Sequence, residues 1–227
     1  MELEKVTSVG KAVQKRWYDD ACGTALAMEL VGERWSLLIV RELMFGPRRF
    51  GEVKANLPGI SANVLTQRLE GLIAAGIAVR RRLPSPANVQ AYDLTDWGRN
   101  AETAIRELGR WAARSPRHDR FAFFSPASAM VSLRTLIDPA RAAAAGAIAV
   151  AFRFPDDAFV ARLGEGELTI ARGEGAADLA FTGDTMALRC TIYGRLGMDT
   201  PGTLALSGDR MLAERFIDLF TLPETID

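Results

Sequence analysis

Side chains able to do nucleophilic or acid–base chemistry are few. The 227-residue chain has two cysteines and one histidine. Cys22 and Cys190 cannot build a disulfide framework, and no Cys/His spacing of metal-binding type occurs, so no metal or other cofactor is expected. The single imidazole, His118, excludes mechanisms that need two within one chain. A Ser-His-Asp site would have to use it, but it lies in Arg114-Ser115-Pro116-Arg117-His118-Asp119-Arg120, which reads as a linker. No spacing singles out an Asp/Glu pair. The residues point away from an enzyme.

Chemistry for reading base edges is better supplied. In the stretch 62–75, Leu65, Leu69, Leu72 and Ile73 follow the i, i+4, i+7, i+8 pattern of one buried helix face. The opposite face carries Asn63, Thr66, Gln67 and Glu70. Asn and Gln can pair with adenine edges, and Thr can meet a polar edge or a thymine methyl. Ser61 is placed to cap this helix, and the amides beside it could meet a phosphate. Arg48, Arg49 and Lys54 lie just upstream, Arg68 lies within the helix, and Arg80, Arg81 and Arg82 follow it. These are candidate DNA contacts, the last three alternating along a strand so that about two reach the backbone. A polar helix face or an arginine triplet alone is ordinary solvated surface; the context decides.

That context is a run of elements. Helices are predicted over 21–31, 34–45, 49–56 and 62–75, with Gly32, Gly46-Pro47, Pro58-Gly59 and Gly76 as stops. Extended runs 77–82 and 89–95 flank a loop with Pro84, Ser85, Pro86 and Asn88, and read as a hairpin. A helix over 96–113 follows. This order is that of a winged helix-turn-helix, in which one helix enters the major groove and the preceding one crosses the backbone. The second half reads differently. Helices are predicted at 126–137, 184–195 and 209–220, and strands at 147–154, 158–163, 167–172, 178–182 and 203–207. The glycine turns Gly164-Glu165-Gly166 and Gly173-Glu174-Gly175 suggest hairpins. The fold class is α+β, with one unit over 1–118 and another over 119–227.

Composition agrees with two units. It is 48% hydrophobic and 25% charged, ordinary for a globular protein. The formal net charge is zero, which alone argues against a uniformly basic nucleic-acid binder. It divides unevenly. Residues 1–120 hold 19 Lys and Arg against 14 Asp and Glu, a net of +5, and residues 121–227 hold 9 against 14, a net of −5. Within 34–82 the balance is 9 against 3, a net of +6. The negative half suits a neutral or cationic small molecule and should stay off DNA. No apolar run approaches the roughly 18 residues needed to span a bilayer, and the first residues lack the apolar core of a signal peptide. A cytoplasmic location without membrane contact is expected.

The residues also resemble a known family. Cys22…Ala25-Leu26…Val31-Gly32-Glu33-Arg34-Trp35-Ser36-Leu37-Leu38-Ile39, Gly46-Pro47-Arg48-Arg49-Phe50-Gly51-Glu52-Val53, Pro58-Gly59-Ile60-Ser61…Leu65-Thr66-Gln67-Arg68-Leu69 and Tyr92-Asp93-Leu94-Thr95…Gly98 are similar to the HxlR family of bacterial winged-helix regulators. Glu33-Arg34 stands for the usual Gly-Lys, and Ala62-Asn63 for the usual Pro-Arg, which bears on the operator sequence. The resemblance implies a homodimer on a pseudo-palindromic double-stranded DNA site with half-sites roughly 34 Å apart. Helices 2–20 and 96–113 would supply the dimer contact through Trp17, Tyr18, Leu108 and Trp111, with an intramolecular core as the other reading. In some relatives a cysteine matching Cys22 senses oxidants. A thiol in a first helical turn can have a lowered pKa, Asp19 and Asp20 oppose this, and the other reading is a small buried apolar residue.

Residues 121–222 resemble the sterol-carrier-protein fold as it occurs fused to bacterial regulators, through Gly166–Gly173, Ala177–Asp184 and Gly202–Asp209. That implies an apolar cavity for a small hydrophobic effector. Candidate lining residues are Met130, Leu133, Phe152, Phe181, Met186, Ile192, Met211, Phe216 and Phe220, with a filled core as the runner-up. The expected protein is a dimeric DNA-binding regulator modulated by such an effector. The alternatives are a lipid-like ligand carrier and a thiol-based redox sensor using Cys22.

Overall fold

The computed structural model describes residues 18–83 and 88–226. The expected helix 2–20 and Trp17 lie almost wholly outside these, as do Pro84, Ser85 and Pro86 of the hairpin loop.

The first unit contains α1 (Gly23–Val31), α2 (Ser36–Leu43), α3 (Phe50–Ala55), α4 (Ala62–Ala74), strands β1 (Ala78–Arg82) and β2 (Gln90–Leu94), then α5 (Asp96–Arg99) and α6 (Glu102–Ala112). Ile39, Leu43, Val53, Leu57, Leu65, Leu69, Leu72 and Leu94 form its core. Each buried aliphatic side chain contributes about 1.5–3 kcal/mol of transfer free energy, which holds short helices that could not persist alone. Leu38 on α2 is open to solvent. The turn into α4 needs Gly59, whose φ of +91° favours glycine. Trp35 adopts a left-handed backbone at φ 82° and sets its ring against this turn.

The helix expected over 96–113 is broken. Thr95 caps α5 by accepting from the Gly98 amide at 3.0 Å. The Gly98 backbone packs so closely on the Ile77 carbonyl that a Cβ would sit 2.1 Å from it. The amides of Asn100 and Ala101 bond back three residues, to Trp97 and Gly98. This tightened turn ends α5 before α6 begins at Glu102.

The second unit contains α7 (Pro126–Leu136), α8 (Pro139–Ala145), β3 (Ile148–Phe154), β4 (Asp157–Gly164), β5 (Glu167–Arg172), β6 (Leu179–Thr182), α9 (Thr185–Leu188) running into a π-helical turn over 189–193, β7 (Ala205–Gly208) and α10 (Arg210–Ile217). The α8 helix was not expected. Asp138 caps it, accepting from Ala140 and Arg141 amides, and Pro139 opens it. The sheet order is β5-β4-β3-β6-β7. The strands β5 and β6 are therefore not a hairpin. The β6 strand pairs parallel with β3, and the other pairings are antiparallel. Gly173, at φ +115°, turns the chain out of β5. Asp178 then pins it beside β3, its amide donating to Ala149 O at 2.8 Å and its carboxylate accepting from the Ala149 amide at 2.7 Å.

The two units are joined by polar and apolar contacts. Phe45 meets Phe159 edge-on at 5.4 Å. Glu42, fully buried on α2, accepts from Ser125 Oγ at 2.7 Å and pairs with Arg41 at 3.0 Å. Glu102 on α6 pairs with Arg134 on α7 at 2.9 Å.

Candidate nucleic-acid interface

Helix α4 rests Leu65, Leu69 and Leu72 in the core and leaves Asn63, Thr66, Gln67 and Glu70 exposed on the opposite face. Ser61 caps it, Oγ accepting from the Val64 amide at 3.2 Å. The hydroxyl is thus occupied, while the first-turn amides face outward with the positive end of the helix dipole. Thr66 donates its hydroxyl to Ala62 O at 3.0 Å, which directs its methyl outward. Arg49 and Lys54 are exposed on or beside α3, at the same end of the unit.

The wing divides its arginines. Arg80 pairs with Glu70, tying β1 to the α4 face. Arg81 Nε pairs at 2.8 Å with Asp93, whose buried carboxylate also takes Arg99 at 2.6 Å and the Leu94 amide at 2.9 Å. Arg81 is therefore anchored through its Nε although its side chain is largely exposed. Arg82 donates to Asn88 Oδ1 at 2.7 Å, near the hairpin end.

Two candidate contacts are corrected. Arg48, 11% exposed, turns away from the α4 face to pair with Asp157 of the second unit at 3.0 Å. Asp157 also holds Arg172 at 3.1 Å. Burial, with the Arg48 charge beside it, pulls the Arg172 pKa down, and Asp157 opposes this. Arg68 is held backward, pairing with Glu33 at 2.7 Å and donating to Arg34 O at 3.2 Å. It staples α4 to the α1–α2 connection.

Cys22 is exposed, at the N-cap of α1, so it is not a buried apolar filler. The Thr24 amide, then the Thr24 hydroxyl and the Ala25 amide, push its thiol pKa down. Tyr18, Leu108 and Trp111 are exposed, Trp111 by 75%. The intramolecular-core reading fails for all three.

The effector-lining candidates are largely corrected as well. Met130, Leu133, Phe152, Phe181, Ile192, Phe216 and Phe220 are fully buried in one continuous core. The Phe152 ring lies 5.7 Å from Phe181 and 6.0 Å from Phe216, and Phe216 lies 5.1 Å from Phe220. Aromatic side chains fill the space between sheet and helices. Met211 fails in the opposite sense: it is 74% exposed, on the outer face of α10. Of the nine candidates, Met186 alone lines the cavity of about 870 Å³, which lies between the two units rather than inside the second. Sequence reasoning missed this seam. Its available signal was Phe121, Phe123 and Phe124, three aromatics directly after the segment 114–120 that reads as a linker.

The comparisons fit this geometry. The family described as HxlR-like helix-turn-helix matches residues 30–120. An uncharacterised HTH-type transcriptional regulator of Mycobacterium tuberculosis is 46% identical over 85 residues, 37% of this chain and 53% of the relative. The HTH-type transcriptional regulator YodB of Bacillus subtilis is 37% identical over 86 residues, 38% of this chain and 77% of YodB. The solved reduced form of YodB is 34% identical, with a TM-score of 0.39, covering 43% of this chain and 98% of that one. The chain belongs to the HxlR family of helix-turn-helix proteins. It spans about half the length of the mycobacterial relatives it matches, and the family match stops at residue 120.

Proposed function

We propose that the protein is a bacterial transcriptional regulator, non-catalytic and cytoplasmic, that binds double-stranded DNA as a homodimer. Residues 1–118 form the DNA-binding and dimerisation unit. Residues 119–227 form a sterol-carrier-like unit, and a small hydrophobic effector modulates the protein. In this reading α4 enters the major groove with Asn63, Thr66 and Gln67 toward base edges. Arg49, Lys54 and Arg82 lie along the phosphates, with Ser61's neighbouring amides beside them. The observation that carries it is the four-residue polar face of α4, exposed opposite a fully buried leucine stripe. Exposed Tyr18 and Trp111 support a second copy across α6. No helix of the described residues is long and apolar enough to cross a membrane.

The test is fluorescence anisotropy on a DNA site selected from a random pool, against scrambled DNA, over a range of salt. Selected DNA should bind at least about a thousandfold tighter than scrambled, with affinity falling steeply as salt rises. Equal, salt-insensitive affinity for both would refute the reading.

Cys22 favours a second input. Its exposed thiol, held toward the thiolate by the Thr24 and Ala25 amides, suits reaction with an electrophile. Diamide or a quinone should weaken operator binding by the wild type and leave Cys22→Ser unaffected. An equal response of both proteins removes this role.

A further inference from the structure

The cavity between the two units has a volume of about 870 Å³, within the range of small-molecule sites. Leu37 and Leu38 on α2, Leu108 on α6 and Val131 on α7 form its apolar wall. Phe121 and Phe123 of the connecting segment stand exposed at it. On its floor Ser132 and Tyr193 share a hydrogen bond at 2.6 Å, and burial keeps the Tyr193 phenol protonated. Its charged lining is Arg41, Arg120 and Arg189 against Asp119 alone, and His118 also lines it. Arg41 is matched by Glu42, and Arg120 donates to Thr225 Oγ1 at 3.3 Å.

Arg189 differs from the other two. Its Nη1 donates to the carbonyls of Arg120 and Ala122, and its guanidinium lies over the Phe124 ring at 5.4 Å. These contacts fix its orientation. Among the described residues it has no carboxylate partner, and its buried Nε has no hydrogen-bond acceptor. A guanidinium held in place and left without a carboxylate partner matches the charge of a carboxylate in this cavity.

We propose that this seam is the effector site and that it takes an amphipathic carboxylate, its apolar body along Leu37, Leu38, Leu108 and Val131 and its carboxylate on Arg189. The assignment rests on the regulator reading only for its consequence; binding stands without DNA. It replaces both the location and the charge preference expected from the sequence. The net −5 of residues 121–227 favours a cation, but the local lining is positive, and the nearest charges dominate. The ligand touches α2 and α6 on one side and α7 and the 185–193 segment on the other. It therefore binds one arrangement of the two units better than another, which is the condition for changing operator affinity.

The experiment is isothermal titration of the full chain, without DNA, with dodecanoate, dodecanol and dodecylammonium below their aggregation concentrations. Dodecanoate should bind once per chain, about tenfold or more tighter than the other two. Arg189→Gln should lose that advantage while keeping dodecanol affinity, and Arg189→Lys should restore part of it. Phe121→Glu alters an 81% exposed side chain and leaves the fold intact. It should weaken dodecanoate and strengthen dodecylammonium. Equal uptake of the three probes by the wild type overturns the proposal, as does a Phe121→Glu protein with wild-type preferences. Uptake that falls as the protein concentration rises would put a second copy in the seam and overturn it too. Gln67→Ala should take up dodecanoate normally, so failure of DNA binding and failure of this site are separately visible.

Discussion

The α4 face and the interdomain seam, the two surfaces proposed for recognition, are built in opposite ways. The α4 face is convex and made by one helix. Its four exposed polar residues stand on a single leucine stripe, and every part lies within one short stretch of chain. The seam is concave and is assembled from α2, α6, α7, the 185–193 turn and the segment between the units. Changing one residue of α4 changes one contact. Changing how the two units meet changes the whole seam. A surface read along one element is set by local periodicity, whereas a surface read across five is set by tertiary docking.

The comparison can be broken most severely at the joint between the units. Asp157, 5% exposed, pairs with both Arg48 and Arg172. Asp157→Asn leaves two guanidinium groups facing each other with reduced compensation. We expect a loss of about 3–5 kcal/mol, measured by urea unfolding, with the two units no longer melting together. A single transition shifted by less than about 1 kcal/mol would show that the ion cluster does not join them.

A change of similar size inside the second unit should leave recognition alone. Phe152→Ala should cost about 3–5 kcal/mol of stability. At temperatures where it stays folded, dodecanoate affinity should not change, because Phe152 lies in the filled core and not in the seam. Met211→Ala, on the outer face of α10, should change stability by less than about 0.5 kcal/mol. A loss of ligand affinity in either variant would move the site back inside the second unit.

Smaller effects sharpen the α4 side. Gln67→Ala should cost about 1–3 kcal/mol on the selected DNA site and little on scrambled DNA. Arg82→Ala should weaken both equally and lower the salt slope by about one. Arg48→Ala should leave the salt slope unchanged, since that side chain faces Asp157 rather than the α4 surface. The smallest change concerns Cys22. Its lowered pKa means more thiolate at a given pH, so iodoacetamide should modify it at lower pH than an ordinary thiol. Alkylation tracking the usual thiol range would show that the Thr24 and Ala25 amides do not act on it.

The first unit was readable because its signals are local. Leu65, Leu69 and Leu72 mark a face by spacing, and Ser61, Gly59 and Gly76 mark ends by backbone geometry. Arg48 and Arg68 were misread because their partners are distant. Arg48 meets a carboxylate 109 positions away, and nothing in Gly-Pro-Arg-Arg-Phe distinguishes it from exposed Arg49. The sequence reads as one helix over 96–113 because the break depends on Gly98 meeting the Ile77 carbonyl, a contact between elements. In the second unit the strands were placed within one or two residues, yet the pairing of β6 with β3 rather than β5 depends on Asp178 meeting Ala149. The phenylalanines were recognised as inward-facing. Whether they line space or fill it depends on how closely their rings approach, which spacing does not encode.

The parallel pairing of β3 with β6 also orders events during synthesis. The core of the first unit closes once β2 is made, using contacts that are short in sequence. The centre of the second sheet stays without one neighbour until 179–182 arrive, and its edge waits for 205–208. Contacts of long sequence separation form late. A nascent chain therefore carries a finished helix-turn-helix before it carries Asp157 docked on Arg48 or a closed wall opposite Leu37 and Leu38. The apolar faces of α2 and α6 stand uncovered for the time needed to make the rest, which is when a growing chain is most open to association with its neighbours.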